Sequence, residues 1–198
     1  MIYHHHPMIN NNLIPEKQIR AHYNNTTIRV YQAFNQAIAD SALEHGKFQS
    51  PPFKMERMTW VKPSFLWTMY RSGWAKKDDN QCRILAIDIS IEGFLWALKH
   101  SLLSHQAKHF QCPHTWQQLK QSTPVRIQWD PERDLELQPL SYRAIQIGLS
   151  GDAVERYVHD WTQHIEDVTE LAMTIHQHVL KGELIKAEHL LPTERCFD

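Results

Sequence analysis

TIRVYQAF, residues Thr27 to Phe34, is the stretch from which the fold is read. Its β-branched and aromatic residues mark a strand. Alternation puts Ile28, Val30, Gln32 and Phe34 on one face and Arg29, Tyr31 and Ala33 on the other, so Gln32 shares the more apolar side. Asn35 then reads as the N-cap of a helix from Gln36 to Glu44, with Ile38, Ala42 and Leu43 spaced for one buried face and Gly46 as its C-terminal stop.

Working outward, Glu16 to Tyr23 reads as a short helix that turns at Asn24-Asn25 into the strand. Beyond the proline-rich loop at Pro51-Pro52 lies ERMTWVKPSFLWTMYRSGW, Glu56 to Trp74. Pro63 in a first helical turn, the apolar density of Phe65 to Tyr70 and the Ser72-Gly73 stop predict a short, largely buried helix there. RILAIDIS, Arg83 to Ser90, is apolar enough for a central strand, and Ile91 to Leu103 follows as a helix. His105 to Thr123 reads as irregular, Val125 to Trp129 as a short strand, Asp130 to Asp134 as a turn and Tyr142 to Leu149 as another strand. From about Ala153 to Leu180, Val154, Val158, Trp161, Ile165, Val168, Ala172, Ile175 and Val179 recur at steps of four and three, which predicts a long C-terminal helix. Its seam is assigned to the chain's own sheet, with a second copy as the alternative partner. The elements mix without regular β-α-β alternation. The expected architecture is therefore a single α+β domain over residues 16–198, with a split or mixed β-sheet, flanking helices and the long C-terminal helix. Residues 1–15, with His4, His5 and His6, read as a disordered or tag-like leader.

The 198 residues suffice for a core without metal or disulfide, and the formal charge of -1 supplies no global field for a polyanion. Any nucleic-acid partner requires a local basic patch. Cys82, Cys112 and Cys196 are odd in number and widely spaced, and no apolar run is long enough to span a membrane, so the reading is a cytoplasmic protein with free thiols; the seam assigned to the chain's own sheet favours a monomer without fixing the oligomeric state. With only 6 Gly the chain has no phosphate-binding glycine loop. His109, Cys112 and His114 have a spacing that suits zinc but lack a fourth ligand; they are read as surface residues, and no metal site is assigned.

Candidate ligand-binding residues cluster around the densest stretch. Arg57 and Lys62 are placed to clamp a phosphate, with Ser64 adding donors at a helix start, and Thr59, Tyr70 and Arg71 lie among the same aromatics. A dipole-capping Arg71, a helix-capping Ser64 and a snorkelling Lys62 account for those letters structurally. Asp130 and Glu132, in the DPERD run, suit general-base work or a divalent cation, but an Asp-Pro turn with a local ion pair explains the same letters and is the preferred reading. Gln146 shares a face with Ala144 and Gly148, which leaves room for a ligand; Arg143 lies among apolar neighbours and is expected to pair with Asp88. Tyr31 or Gln32, Arg57, Lys62 or Tyr70, and Gln146 are expected to border one pocket.

VYQAF at Val30 to Phe34, MTWVKPSFLWTMYRSGW at Met58 to Trp74, QWDPERDL at Gln128 to Leu135 and RAIQIGL at Arg143 to Leu149 resemble an uncharacterised bacterial and fungal family, domain of unknown function 4291, over about residues 17 to 180. A weaker resemblance is to the RNA 2'-phosphotransferases and their ADP-ribosyltransferase relatives. In those, a Tyr-His-Gly strand, a helix closed by Gly-Leu and an Arg-x-His-x-His strand surround an NAD-like moiety in the cleft of a split sheet. Here Tyr31-Gln32-Ala33, Gly46-Lys47 and Arg57-Met58-Thr59-Trp60 stand in that order, and both key histidines are replaced. The resemblance implies a nucleotide ligand, with NAD as candidate cofactor, in an enzyme of that type. The alternatives are a non-catalytic module for a nucleotide or single-stranded nucleic acid, and a structural or oligomeric protein.

Overall fold

The computed structural model describes residues 15–104 and 113–197. The leader assigned to residues 1–15 therefore lies outside the described residues except for Pro15, as do His109 and Cys112. Strand β2, Thr27–Phe34, pairs antiparallel with β4, Arg83–Ser90, and β8, Thr162–Asp167, completes a three-stranded sheet in the order β2-β4-β8. β4 is central, as its apolar run predicts. Ile28, Val30, Leu85 and Ile87 point into one core cluster, while Tyr31, Ile84 and Ala86 on the opposite face enter a second. Both faces of β4 are thus covered, which explains why RILAIDIS does not alternate.

A second sheet has the order β3-β7-β6-β5, from Thr59–Val61, Pro139–Leu149, Val125–Arg133 and Ser101–Leu103; β5 runs parallel to β6 and the other pairs are antiparallel. A short ladder of β1, Arg20–Ala21, with β9, Arg195–Cys196, closes the chain ends on each other. Among the described residues the two larger sheets meet at one bridge. Tyr31 donates its N–H to the Lys62 carbonyl at 2.7 Å and Lys62 donates back at 3.3 Å.

Two helices near this seam end as the sequence dictates. Asn35 accepts the Ile38 N–H at the start of α1, Gln36–His45, and Gly46 closes it in the left-handed region at φ 65°. Ser64 accepts the Trp67 N–H at the start of α2, Phe65–Ser72, and Gly73 closes it in the same way. Pro63 precedes that cap rather than sitting in the first turn.

Five expectations are corrected. Glu16 to Tyr23 is extended and bridged, because its backbone groups are taken by Arg143 and by the C-terminal strand instead of by its own turns. The helix from Ile91 stops at Lys99 as α3, and Ser101–Leu103 becomes β5 on the free edge of β6. Pro113–Ser122 is helical, α4, within the stretch read as irregular. Asp130 to Arg133 is no turn but the bulged end of β6.

The largest correction is the C-terminal helix, which is not continuous. Asp152–Arg156 is a helix, α5, and Tyr157–Trp161 a π-helical turn; β8 follows, and only then α6, Thr169–Leu180, and α7, Leu184–Leu190. The seam residues are buried as predicted, Val179 only partly, but in two different clusters: Val154, Val158, Trp161 and Ile165 in the first, Val168, Ala172 and Ile175 in the second. A single helix would have left the second edge of β4 with unpaired backbone groups inside the protein, and ladder formation by TQHIED overrides the helical spacing. No helix among the described residues is long and apolar enough to cross a membrane.

Gly93, early in α3, shows how closely the first cluster is packed. A Cβ there would sit 2.3 Å from the Trp161 ring. Gly93→Ala is expected to cost about 1–3 kcal/mol in chemical denaturation, and that cost should largely vanish when Trp161→Ala is already present. An additive pair would refute the close packing.

Candidate functional site

The register of the second sheet builds the floor of a cleft. Val61 pairs with Ile147, and Gln146 pairs with Gln128. One step along β3, Lys62 therefore falls in a row with Gln146 and Gln128 across three strands, on one face of the sheet. Trp60 opposes Gly148 in the adjacent row. Its indole fills the space that the glycine leaves: a Cβ at Gly148 would lie 2.9 Å from the Trp60 ring and 3.0 Å from the Met58 sulfur. The room expected beside Gln146 is thus occupied on that side. Asp130, two residues from Gln128 on the same face of β6, accepts a 2.6 Å hydrogen bond from the Gln146 amide.

The walls come from the seam. Past the Tyr31–Lys62 bridge, β2 and the chain entering β3 separate, and the cleft opens between them. It has a volume of about 1020 Å³ and is lined by Gln32, Arg57, Thr59, Lys62, Tyr70, Arg71, Asp130 and Gln146 from the sequence candidates. Gln32 is fixed on both sides of its amide, donating to Thr59 Oγ1 at 2.6 Å and accepting from the buried Tyr157 hydroxyl at 2.7 Å. Arg57, expected to be partly exposed in a concave site, is exposed and lines the cleft.

Three candidates lie outside the lining. Tyr31 is fully buried against Phe65, edge to face at 5.4 Å, and its hydroxyl has no hydrogen-bond partner among the described residues; burial pushes its pKa far up. Ser64 caps α2 and donates to Glu132 at 2.9 Å. Glu132 points away from the cleft, where burial raises its pKa against the opposing pull of the Arg133 N–H and Ser64. Nor does Arg143 meet Asp88. It pairs with Glu16 at 3.1 Å, because Asp88 lies directly across from Arg29 in the β2–β4 ladder and is held by it through two bonds.

The structure also brings in residues that the sequence did not single out. Gln128, Lys54, Trp67 and Arg133 all line the cleft. Arg133 stacks on Tyr70, 3.7 Å from its centroid, and Tyr70 stacks on Trp67 at 5.1 Å. The alternation of VRIQWD carried the signal for Gln128. Arg133 arrives through the bulge between Pro131 and Arg133, which the letters do not announce. Glu194, near the C-terminus, accepts the Phe65 N–H at 2.8 Å and so supports the start of α2 from behind; burial pushes its pKa up to about 8.

Charge is unevenly distributed in this cleft. Lys54, Arg57, Lys62, Arg71 and Arg133 face it, against Asp78 and Asp130. Lys62 is the most constrained of the five. It is 8% exposed, has no carboxylate within ion-pair distance among the described residues, and donates only a long 3.4 Å bond to the Trp60 carbonyl. Burial, reinforced by the Arg71 charge, lowers its pKa to about 8.

The family model described as a domain of unknown function, DUF4291, matches residues 18–197. The chain belongs to that family. No curated protein matches it. The match to DUF4291 spans every residue of the cleft lining, so the cleft is part of the family domain and not an appendage to it.

The lowered Lys62 pKa has a consequence for stability. The folded value lies below the unfolded one, so the cost of the buried charge is complete below pH 8 and fades as the pH rises toward the unfolded value. Lys62→Met should therefore raise stability by up to about 3 kcal/mol at pH 7, with the gain shrinking between pH 8 and 10 in parallel urea titrations. A pH-independent difference would contradict the assignment.

Proposed function

We propose that the cleft binds a nucleotide, in an enzyme of ADP-ribosyltransferase-like type for which NAD is the candidate ligand. The observation that carries this reading is Lys62, a desolvated cation without a carboxylate partner among the described residues, facing a cleft that holds further unbalanced positive charge. A cation buried without a counter-ion is costly, and an anionic ligand removes the cost. Arg57 and Arg71 offer planar forks for phosphate oxygens, and Lys62 adds a third positive charge. Gln128, Gln146 and Asp130 present donors and acceptors for a base edge or carboxamide, and Tyr70 supplies a ring face.

Two features favour the transferase-like reading. The sheets part from a single bridge, which gives a ligand a cleft of the split-sheet kind. The positions where the resemblance expects two of its key residues, Gln32 and Thr59, are bonded to each other in its lining. Asp130 is then the carboxylate placed to face positive charge developing on a ribose ring, held in place by Gln146. The alternative, a single-stranded nucleic-acid module, draws on the exposed Tyr70 ring with the half-buried Arg133 over it.

Calorimetric titration with NAD, ADP and a short single-stranded RNA separates these readings. NAD or ADP is expected to bind at one site, and Arg57→Ala to weaken binding at least tenfold, about 1.4 kcal/mol, with an unchanged melting temperature. Tight binding of RNA alone would favour the module. Wild-type affinity in Arg57→Ala would remove the phosphate role.

A further inference from the structure

Lys62 differs from its neighbouring cations in chemistry as well as in burial. A guanidinium at this position would stay protonated at any accessible pH, whereas an amine that loses its proton presents a lone pair. Burial and the Arg71 charge favour that loss, against only a long hydrogen bond from the ammonium to the Trp60 carbonyl. Its side chain leaves β3 on the cleft side, in the row of Gln146 and Gln128, and no carboxylate among the described residues holds its charge. Arg71, the charged neighbour that acts on it, is another cation. A lysine desolvated beside a cation is the usual setting of an amine that attacks carbonyl carbon. The same cleft holds Arg57 and Arg71, so a substrate that carries both a carbonyl and a phosphate is anchored at one end and presented at the other.

We propose that Lys62 is a nucleophile that forms an imine with the open-chain aldehyde of a phosphorylated sugar bound in the cleft. This rests on the reading of the cleft as an anion site, and it goes beyond that reading by assigning a covalent step. The neutral amine adds to the aldehyde carbon, making the N–C bond while the carbonyl π pair moves to oxygen. That oxygen takes a proton and the nitrogen releases one to water, giving a carbinolamine. Loss of water from the carbinolamine then leaves the C=N bond, with no oxidant or reductant required. With a pKa of about 8, roughly a tenth of the amines are neutral at pH 7. Lys54, Lys76 and Lys77 are exposed and serve as internal comparators on the same chain.

The probe is ribose 5-phosphate, with sodium borohydride added to deliver hydride to any C=N bond and fix it as a secondary amine. Peptide mass mapping of the wild-type protein then reads each lysine. The expected result is an adduct on Lys62 at least tenfold above that on Lys54, Lys76 or Lys77, rising with pH through 8, suppressed by inorganic phosphate and weak with phosphate-free ribose. Because the comparison is internal to one folded chain, it does not depend on a variant that folds; Lys62→Arg, which keeps the charge, should lose the adduct as a second check. Labelling spread evenly over the lysines, or absent from Lys62, overturns the proposal. Nucleotide binding without the adduct removes the imine alone, whereas the adduct without nucleotide binding removes the nucleotide reading alone.

Discussion

One pair of backbone hydrogen bonds, between Tyr31 and Lys62, decides where the site lies. It is the only bridge between β2 and β3 among the described residues, and it holds two sheets of different composition edge to edge. Tyr31 itself is packed with Phe65 and Met69 in a buried core. Past the bridge β2 and the chain entering β3 separate, and no ladder pairing joins them among the described residues. Backbone groups at a parting of strands must face solvent, side chains or a ligand. Gln32 and Thr59, bonded across the gap at 2.6 Å, are the side-chain answer at its narrow end. Farther out the gap widens into the cleft. The bridge also fixes Lys62 itself: its backbone is tied to Tyr31 in both directions, so its side chain has one face of β3 from which to emerge.

The electrostatics follow from that placement. A formal charge of -1 gives the chain no long-range field to draw an anion, yet among the described residues the cleft gathers five cations against two carboxylates. The compensating acidic groups sit elsewhere, several of them in pairs that are already satisfied. Asp88 and Glu166 are taken by Arg29, and Asp40 and Asp167 by Arg83. Low-dielectric walls strengthen the local excess. Two further carboxyls, Glu132 and Glu194, are placed behind α2, where they hold Ser64 and the Phe65 N–H, and neither enters the cleft lining. The helix that carries Tyr70 and Arg71 is thus held at its N-terminal end by acids, while Arg71 near its C-terminal end lines the cleft.

Much of this was legible in the letters, and what was not has identifiable causes. The strands Thr27–Phe34 and Arg83–Ser90, the caps Asn35, Gly46 and Gly73, and the inward alternation of Gln146 are local properties, and local rules read them. Gln32, Arg57, Lys62, Tyr70 and Gln146 do border one cleft, since an apolar stretch tolerates polar residues only where they find partners or a cavity. Tyr31 was misplaced because an aromatic at a seam reads the same whether it lines a cavity or seals one. The C-terminal segment was misread for a different reason. A seam of step four and three is a statement about burial, and Thr162–Asp167 satisfies that burial as a strand because β4 has a second edge to cover. Arg133 reached the site through a bulge, and a bulge depends on the partner strand as much as on its own residues.

The central claim is that one ligand is held jointly by segments from β2, the stretch from Lys54 through α2, β6 and β7. Hydrogen exchange read by mass spectrometry, with and without ADP, tests that claim across the whole chain at once. Slowed exchange is predicted together in peptides covering residues 54–72, 126–133 and 144–148, with α6 and α7 unchanged. Protection confined to α6 and α7, or no protection anywhere at a saturating concentration, would contradict it.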